Sequence, residues 1–479
     1  MKLATRYTWS ILLESFFRKI KRIIIKAAPR FELGIKDLQS SALPLGHAAE
    51  NEIFISNSNR ISQTEQNLLF LCNGHGEDTI ACRVIEALHE MNPDISQEVL
   101  PMVGDGKAFS TLVKNGWLAK IGTSTFLPSG GFSNQSFSGL VLDLKAGLLG
   151  SLWSQWTLIH RAAKEGRIIV AVGDLLPLLF AWASGANYFF IGTPKSDYTW
   201  ASGPRSTLSD FYHRLKGTEW DPWEYWLMRS SRCRMVAVRD KITARGLRNH
   251  GVNALSQGNP MMDGISKREC PNDFKKYRRL ILLCGSRFPE AYQNFKKLLI
   301  AIQFIQITSS IAVFVPLSSS VMRKKIELIL MDLGFKSTYH SRCENGISGI
   351  WKKNSLLILI GVNQFSCWAK WGEVGVANAG TATEQLVGLG IPCVSFPGKG
   401  HQFNFNFAKR QSRLLGGSVV IARGYETLAK QVGFLLNSDL DREIIGLRGA
   451  KRMGPEGGSR SIALSISSHL SQGTSRGVI

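Results

Sequence analysis

A turn of small residues in the last third of the chain has the composition of an anion-binding site. Residues 374–377 are apolar, residues 378–381 read Asn-Ala-Gly-Thr, and a helical pattern begins at about Ala382. This order predicts a strand, a turn and a helix whose first N–H groups lack backbone acceptors and can bind a phosphate. Glu384 falls in the first helical turn, where its carboxylate either helps to cap the helix or accepts two hydroxyl groups of a sugar.

Three more polar turns follow predicted strands. They are Asn73-Gly74-His75-Gly76-Glu77-Asp78 after residues 68–72, Gly173-Asp174 after residues 167–172, and Gly285-Ser286-Arg287 after residues 280–284. Ligands of doubly wound sheets bind at the carboxyl ends of the strands. These turns therefore mark the candidate binding regions of the chain.

Strands and helices alternate along most of the sequence. This pattern predicts an α/β protein with two Rossmann-like, doubly wound parallel-sheet domains that face a cleft. We expect a basic extension and linker at residues 1–65, a first domain at residues 66–265, a second domain at residues 276–440, and C-terminal helices with a tail at residues 441–479. The uncharged run at residues 298–317 contains polar residues and predicts a helix, a turn and a buried strand, not a membrane span.

Composition limits the classes of partner. The formal net charge is +22, from 58 Lys and Arg against 36 Asp and Glu, which favours phosphates, nucleic acid or an anionic membrane surface. The sequence has neither zinc-finger spacing nor an arginine-rich tail, so we expect no nucleic-acid partner. The eight cysteines include no C-x-x-C pair, which is typical of reduced thiols in a cytosolic protein. The pattern leaves the oligomeric state open.

The N-terminal 36 residues interleave basic with aromatic and aliphatic side chains. They hold nine Lys and Arg and two acidic residues. Helical spacing would place an apolar stripe beside a basic face, which is typical of a helix lying in the plane of a membrane. The alternative is an extension that docks on the protein or stays disordered. No small-residue cleavage site follows, so we expect no signal peptide.

Three separated motifs resemble the lipid-A-disaccharide synthases of the GT-B glycosyltransferase superfamily. Residues 283–287 with Glu290 resemble the segment L-P-G-S-R-x-x-E, residues 258–263 resemble G-H-P-L-x-D, and residues 378–384 resemble S-G-T-A-x-x-E. The last motif also occurs, in variant form, in the transferase that adds N-acetylglucosamine to lipid-linked muramyl pentapeptide. The resemblance extends over residues 66–470.

The resemblance implies a GT-B fold with a UDP-sugar donor in the second domain and a lipid acceptor in the first. The donor-binding residues that it implies are Gly285, Ser286, Arg287, Gly380, Thr381, Glu384 and Gln402. Glu384 would accept the ribose hydroxyls, and Gln402 would reach a sugar hydroxyl. Backbone N–H groups at Gly285 and the charge of Arg287 suit a diphosphate. The sequence departs from the commoner H-Q-x-x-N-A after Gln402, because position 405 is Phe.

An inverting transfer needs a base that removes a proton from the acceptor hydroxyl. The resemblance places Asp174 at a functional aspartate of the synthases, and His75 and Asp78 on a turn that faces the same cleft. The alternative for Asp174 is a helix N-cap, and for His75 a turn residue bonded to backbone. No D-x-D motif flanks a strand in the donor domain, so we expect no metal ion and no cofactor besides the UDP-sugar substrate.

Aromatic residues in the first domain allow two interpretations. Trp153 and Trp156 on a helix predicted at residues 139–163, with Phe126, Phe132 and Phe137 in the preceding loop, form either an apolar acceptor face near a bilayer or part of the core. The repeat of Trp220, Trp223 and Trp226 favours packing.

Together these features predict a metal-independent, inverting hexosyltransferase. It would move a sugar from a UDP-sugar to a lipid, as lipid-A-disaccharide synthases do in lipid A biosynthesis. We expect a cytoplasmic protein attached peripherally to the inner face of the plasma membrane. The alternatives are a UDP-sugar 2-epimerase of the same architecture and a non-catalytic GT-B protein that binds lipid.

Overall fold

Two mainly parallel sheets flanked by helices make up the part of the chain that the structure describes. This computed structural model describes residues 67–122, 148–202, 208–266, 268–338, 344–398 and 403–475. Both sheets lie within one unit of structure, Glu65–Ile479. We refer to the parts built on the first and second sheets as the first and second domains.

The first sheet has seven described strands in the order β3-β2-β1-β4-β5-β6-β7, and all are parallel. They are β1 (Asn67–Cys72), β2 (Ser96–Pro101), β3 (Ala119–Lys120), β4 (Ile168–Val172), β5 (Tyr188–Gly192), β6 (Cys233–Val238) and β7 (Ala254–Leu255). The central strands are apolar along their whole length because helices cover both faces of the sheet. Every side chain from Leu68 to Cys72 is fully buried.

The helices of the first domain connect these strands. They are α1 (His75–Met91), α2 (Ser110–Lys114), α3 (Leu148–Lys164), α4 (Leu175–Ser184), α5 (Tyr198–Ala201), α6 (Leu208–Lys216), α7 (Pro222–Met228) and α8 (Lys241–Arg248). Trp220 is fully buried and packs edge-on against Phe190, which confirms its predicted packing role. Trp156 packs on His160 and Phe180. The loop that holds Phe126, Phe132 and Phe137 lies outside the described residues.

The second sheet has the order β10-β11-β12-β9-β8-β13-β14-β15 in the described ranges. Its strands are β8 (Arg278–Leu283), β9 (Ile311–Leu317), β10 (Lys336–Ser337), β11 (Gly349–Lys353), β12 (Leu356–Val362), β13 (Val374–Ala377), β14 (Cys393–Ser395) and β15 (Val419–Ile421). From β12 to β15 in this order, neighbouring strands are parallel, which agrees with the predicted parallel sheet. The edge strand β15 itself was not predicted. Strands β10 and β11 add an antiparallel edge, which the sequence analysis missed.

The helices of the second domain alternate with its strands. They are α9 (Asn272–Lys275), α10 (Glu290–Ile302), α11 (Ser320–Asp332), α12 (Phe365–Trp368), α13 (Thr381–Gly388), α14 (Phe405–Leu414), α15 (Tyr425–Asn437), α16 (Asp439–Met453) and α17 (Gly458–Ser475). The run at residues 298–317 forms the end of α10 and all of β9, as predicted. Among the described helices, none has the length and apolar character needed to cross a membrane.

The last helix returns to the first domain. Ile462, Ala463, Ile466 and Leu470 of α17 pack in the core between α1 and the first sheet. Asp263 accepts a hydrogen bond of 2.7 Å from the N–H of Ser459, and Asn259 donates one of 3.1 Å to the carbonyl of Met453. The motif at residues 258–263 therefore holds the start of α17 and the end of α16.

We expect Gly458→Ala to destabilise the fold by about 1–3 kcal/mol, because the space at this crossover is already filled. A Cβ atom there would lie 2.6 Å from the backbone nitrogen of Pro260 and 2.7 Å from the carbonyl carbon of Asn259. Urea unfolding would measure the change. The control is Gly150→Ala in α3, where no atom lies within 4 Å of the new Cβ and the helix should be unchanged or stabilised. Equal stabilities for both variants would contradict this packing.

Candidate functional site

The carboxyl edges of the two sheets meet at their glycine turns. A Cβ atom on Gly76, at the start of α1, would lie 3.3 Å from Oγ1 of Thr381, at the start of α13. Within the second domain, a Cβ atom on Gly285 would lie 3.3 Å from the carbonyl oxygen of Asn378. Small residues therefore allow the turns after β1, β8 and β13 to approach one another closely.

Buried amide side chains fix the turn before α13. Asn378 is fully buried, and it donates to the carbonyl of Phe396 at 2.7 Å and accepts from the N–H of the same residue at 3.0 Å. Gln411 donates to the carbonyls of Ala379 and Gly380 at 3.2 and 3.1 Å. Because these bonds hold the backbone, Gly380 and Thr381 present a preformed helix N-terminus.

Glu384 forms an ion pair with an arginine of the first domain. Nη2 of Arg239, the residue after β6, lies 2.8 Å from Oε2 of Glu384. The Arg239 side chain is 2% exposed and that of Glu384 is 14% exposed. The Glu384 carboxylate, which is predicted to accept ribose hydroxyls, is therefore paired with a buried arginine of the other domain.

Glu77 of the first domain lies among charged groups of both domains, namely Asp174, Arg287 and Glu384. Burial raises the pKa of its carboxyl above the ordinary value of 4.5, and the nearby carboxylates of Asp174 and Glu384 raise this pKa further. A backbone hydrogen bond and the Arg287 guanidinium act in the opposite direction. A carboxyl group with a raised pKa beside a cation and other carboxylates is typical of an acid–base site.

Glu77 was not predicted as a functional residue, although it lies in one of the predicted glycine turns. The signal was present: a glycine turn follows a buried strand, and a glutamate falls in the first turn of the next helix, as at Glu384. The glutamates of α1 and α13 thus occupy similar positions at helix N-termini that face each other. This repeat would have identified Glu77.

Asp174 lies beside Glu77 and caps α4. Its Oδ1 accepts from the N–H of Leu176 at 3.3 Å and from Nδ2 of Asn73 at 2.6 Å. A Cβ atom on Gly173, whose φ is +127°, would lie 2.6 Å from Oδ1 of Asn73 and 3.2 Å from Cγ of Glu77. Only glycine at position 173 leaves room for Asn73 and Glu77 to lie this close. The bond from the N–H of Leu176 is that of a helix N-cap, which is the alternative that the sequence offered for Asp174.

The Arg287 guanidinium lies near Glu77 and Glu290. Burial lowers the pKa of Arg287, and the two carboxylates act in the opposite direction. Arg287 follows the turn at Gly285, which approaches the backbone of Asn378. Ser286 in the same turn is exposed.

The other predicted site residues lie elsewhere or outside the described residues. Asp78 is 1% exposed, and Asp105 and Lys120 of the first domain are among its charged neighbours. The backbone of His75 begins α1, while its side chain and all of Gln402 lie outside the described residues. Asn404, next to the departure from the family motif, caps α14 through the N–H of Phe407 at 2.9 Å.

We expect Asp78→Asn to remove a pH-dependent loss of stability. Burial, together with Glu77 and Asp105, raises the pKa of Asp78 from 3.8 to about 7. The unfolded chain therefore loses this proton at lower pH than the folded chain does, so wild-type stability falls between pH 3.8 and about 7, by about 4 kcal/mol from this group. Asparagine cannot titrate, so the variant should gain stability relative to wild type across this range.

Urea unfolding at pH 4, 5.5 and 7.5 would measure this difference between the variant and wild type. The control is Asp94→Asn at the exposed turn before β2. A difference between Asp78→Asn and wild type that stays constant with pH would contradict the raised pKa.

Comparison with solved structures found proteins that this chain resembles. MnaA of S. aureus, solved with UDP, is 12% identical, has a TM-score of 0.52 and matches 85% of this chain and 97% of its own. UDP-GlcNAc 2-epimerase from Neisseria meningitidis, bound to UDP-GlcNAc, is 10% identical, has a TM-score of 0.50 and matches 84% and 100%. MurG of Acinetobacter baumannii is 12% identical, has a TM-score of 0.49 and matches 84% and 99%.

The chain has a GT-B fold, in which two Rossmann-like domains face each other. This confirms the predicted fold class. No protein-family model matches the chain, and no curated protein matches it. The similarity to these structures, at 10% and 12% identity, shows the fold alone.

Proposed function

We propose that this protein is a glycosyltransferase that moves a sugar from a UDP-sugar to a lipid acceptor, in the manner of the lipid-A-disaccharide synthases. The observation that carries the proposal is the close approach of the turn before Glu77 to the donor turn: a Cβ atom on Gly76 would lie 3.3 Å from Oγ1 of Thr381. The charges of Arg287 and Glu384 act on Glu77 there. This approach places a group able to accept a proton beside groups suited to a nucleotide diphosphate.

The second domain would bind the donor. The helix N-terminus at Gly380 and Thr381, the turn at Gly285 and the charge of Arg287 suit the diphosphate, because each offers N–H groups or positive charge to an anion. Glu384 would accept ribose hydroxyls. UDP and UDP-GlcNAc in the structures of the S. aureus and Neisseria proteins support a UDP-sugar as the donor class.

Glu77 would act as the general base. Its carboxylate removes the proton of the acceptor hydroxyl while that oxygen forms a bond to the anomeric carbon. The bond between this carbon and the UDP oxygen breaks, and UDP leaves with the electron pair near Arg287. One displacement inverts the anomeric centre, and it requires no metal ion in this scheme. We favour Glu77 over Asp174 because one oxygen of Asp174 already accepts two hydrogen bonds.

The lipid acceptor is supported by the motif resemblance and by the net charge of +22, which suits the anionic inner face of a plasma membrane. Helix α4, which Asp174 caps, is rich in apolar residues. Those that are partly buried against the core are Leu175, Leu176, Leu179, Phe180 and Trp182. An acyl chain could extend along this helix while the acceptor hydroxyl lies at Glu77.

A UDP-sugar 2-epimerase is the second candidate. The adjacent carboxyl groups of Glu77 and Asp174 favour it, because epimerisation at C2 needs groups that remove and return a proton. Such an enzyme would act without lipid.

A product assay separates the two functions. Purified protein is mixed with a panel of UDP-sugars, with and without a membrane lipid extract, and UDP and the C2 epimers are measured by chromatography. The transferase predicts UDP release that requires lipid. Interconversion of UDP-sugars without lipid would establish the epimerase, and binding of UDP without any turnover would favour a non-catalytic GT-B protein.

A further inference from the structure

Arginine–carboxylate pairs connect the two domains. Arg413 of α14 contacts Asp210 of α6 through two bonds of 2.7 and 3.2 Å, and Arg410 of the same helix contacts Glu219. Both arginines lie on α14, the helix whose Gln411 holds the turn before α13. A further pair, Arg239 with Glu384, involves a residue of the proposed donor site.

The bonds of Arg239 fix its guanidinium in one place. Nη2 lies 2.8 Å from Oε2 of Glu384 and 3.0 Å from Sδ of Met453, and Nη1 lies 3.5 Å from the carbonyl of Thr193. The planar guanidinium is rigid, and a buried charge pair is stable only while both partners stay in place. Arg239 therefore defines where Oε2 of Glu384 can lie.

From this geometry we infer that Arg239 is a positioning residue for the donor: it holds Oε2 of Glu384 so that the second oxygen, Oε1, accepts a ribose hydroxyl. The inference rests on the proposed function, because it assigns Glu384 to the ribose. It also makes ribose recognition depend on contact between the domains, since the positioning cation comes from the first domain and the carboxylate from the second.

Binding of two nucleotides tests the inference. Calorimetry would measure the affinity of wild type, Arg239→Met, Arg239→Lys and Arg413→Met for UDP and for 2′,3′-dideoxy-UDP, which lacks the ribose hydroxyls. We expect Arg239→Met to weaken UDP binding about tenfold, the effect of one well-placed charged hydrogen bond, and to leave dideoxy-UDP binding unchanged. Arg239→Lys, which keeps the charge, should recover part of the loss.

Arg413→Met is the matched control, because it removes another arginine that joins the domains through a carboxylate; the Arg413 side chain is partly buried. It should bind UDP within about twofold of wild type, because it keeps the hydrogen bond between Glu384 and the ribose. Loss of that bond would weaken binding about tenfold. Circular dichroism spectra would verify folding, and Arg239→Lys carries the test if Arg239→Met does not fold.

An equal loss of affinity for both nucleotides in the Arg239 variants, or the same loss in Arg413→Met, would overturn the inference while leaving the proposed function in place. Failure of wild type to bind UDP at all would overturn the proposed function, and the inference with it.

Discussion

Glu77→Gln should lower turnover by about 10²–10⁴-fold, the usual contribution of a general base. The amide is nearly isosteric with the carboxyl group but cannot accept the acceptor proton. The affinity for UDP should stay the same or increase, because the substitution removes a negative charge near Arg287. Steady-state kinetics and calorimetry of UDP binding would measure the two effects separately.

The pH profile gives a second readout for Glu77. A base must be ionised to act, so kcat/KM of the wild type should rise with pH through the pKa of Glu77. That limb should lie above pH 4.5, because burial and nearby carboxylates raise this pKa. The limb should disappear in Glu77→Gln.

The control is Glu90→Gln, at the exposed end of the same helix α1, which should behave as wild type. Asp174→Asn separates the alternatives: near-normal turnover in Glu77→Gln together with lost turnover in Asp174→Asn would transfer the role of base to Asp174. Asp78→Asn and a His75→Gln variant would test the two remaining candidates in the same assay.

Glu384→Ala should have two effects. It should weaken UDP binding about 30- to 100-fold, because the variant loses an ionised acceptor for the ribose hydroxyls. It should also destabilise the folded chain by about 3 kcal/mol, because Arg239 is left as a buried charge without its carboxylate partner. Calorimetry and urea unfolding would measure the two effects.

The matched control is Glu426→Ala, an exposed glutamate in the first turn of α15. It should lose neither UDP affinity nor more than about 0.5 kcal/mol of stability, as expected for surface positions. Unchanged UDP affinity in a folded Glu384→Ala variant would remove Glu384 from the donor site.

The sequence predicted the central strands and the fold class because these strands are buried on both faces. Strand β1, with five consecutive buried side chains from Leu68 to Cys72, has no polar face to obscure the pattern. The edge strands β10 and β11 were missed because their Lys336, Lys352 and Lys353 carry no such signal, and charged side chains are common on exposed edges.

Helix α16 spans the boundary that we predicted between residues 440 and 441. Gly446 and Gly449 of this helix allow it to pack closely against its neighbours. A Cβ atom on Gly446 would lie 2.0 Å from the carbonyl oxygen of Gly390, and one on Gly449 would lie 2.2 Å from Val387. The neighbouring residues therefore require glycine at both positions. Helix propensity, which depends on the local sequence, cannot predict this requirement.

The candidate site could be predicted only in part. The turns at Gly285 and Gly380 follow from the strand–turn–helix order, and the structure brings them together. Arg239 could not be predicted, because its contact with Glu384 spans 145 residues and depends on how the two domains meet. For Asp174 the sequence offered two alternatives, a general base and a helix N-cap. In the structure Asp174 makes the hydrogen bond of an N-cap and lies beside Glu77.

One measurement tests the central claim most directly. A UDP-sugar labelled in the sugar is incubated with a membrane lipid extract and either wild type or Glu77→Gln, and the label is followed from the aqueous to the organic phase. Sugar transfer to lipid predicts that wild type moves the label into a glycolipid with release of an equal amount of UDP, and that Glu77→Gln does not. Label that stays in the aqueous phase as an epimerised UDP-sugar, with wild type active, would contradict the account.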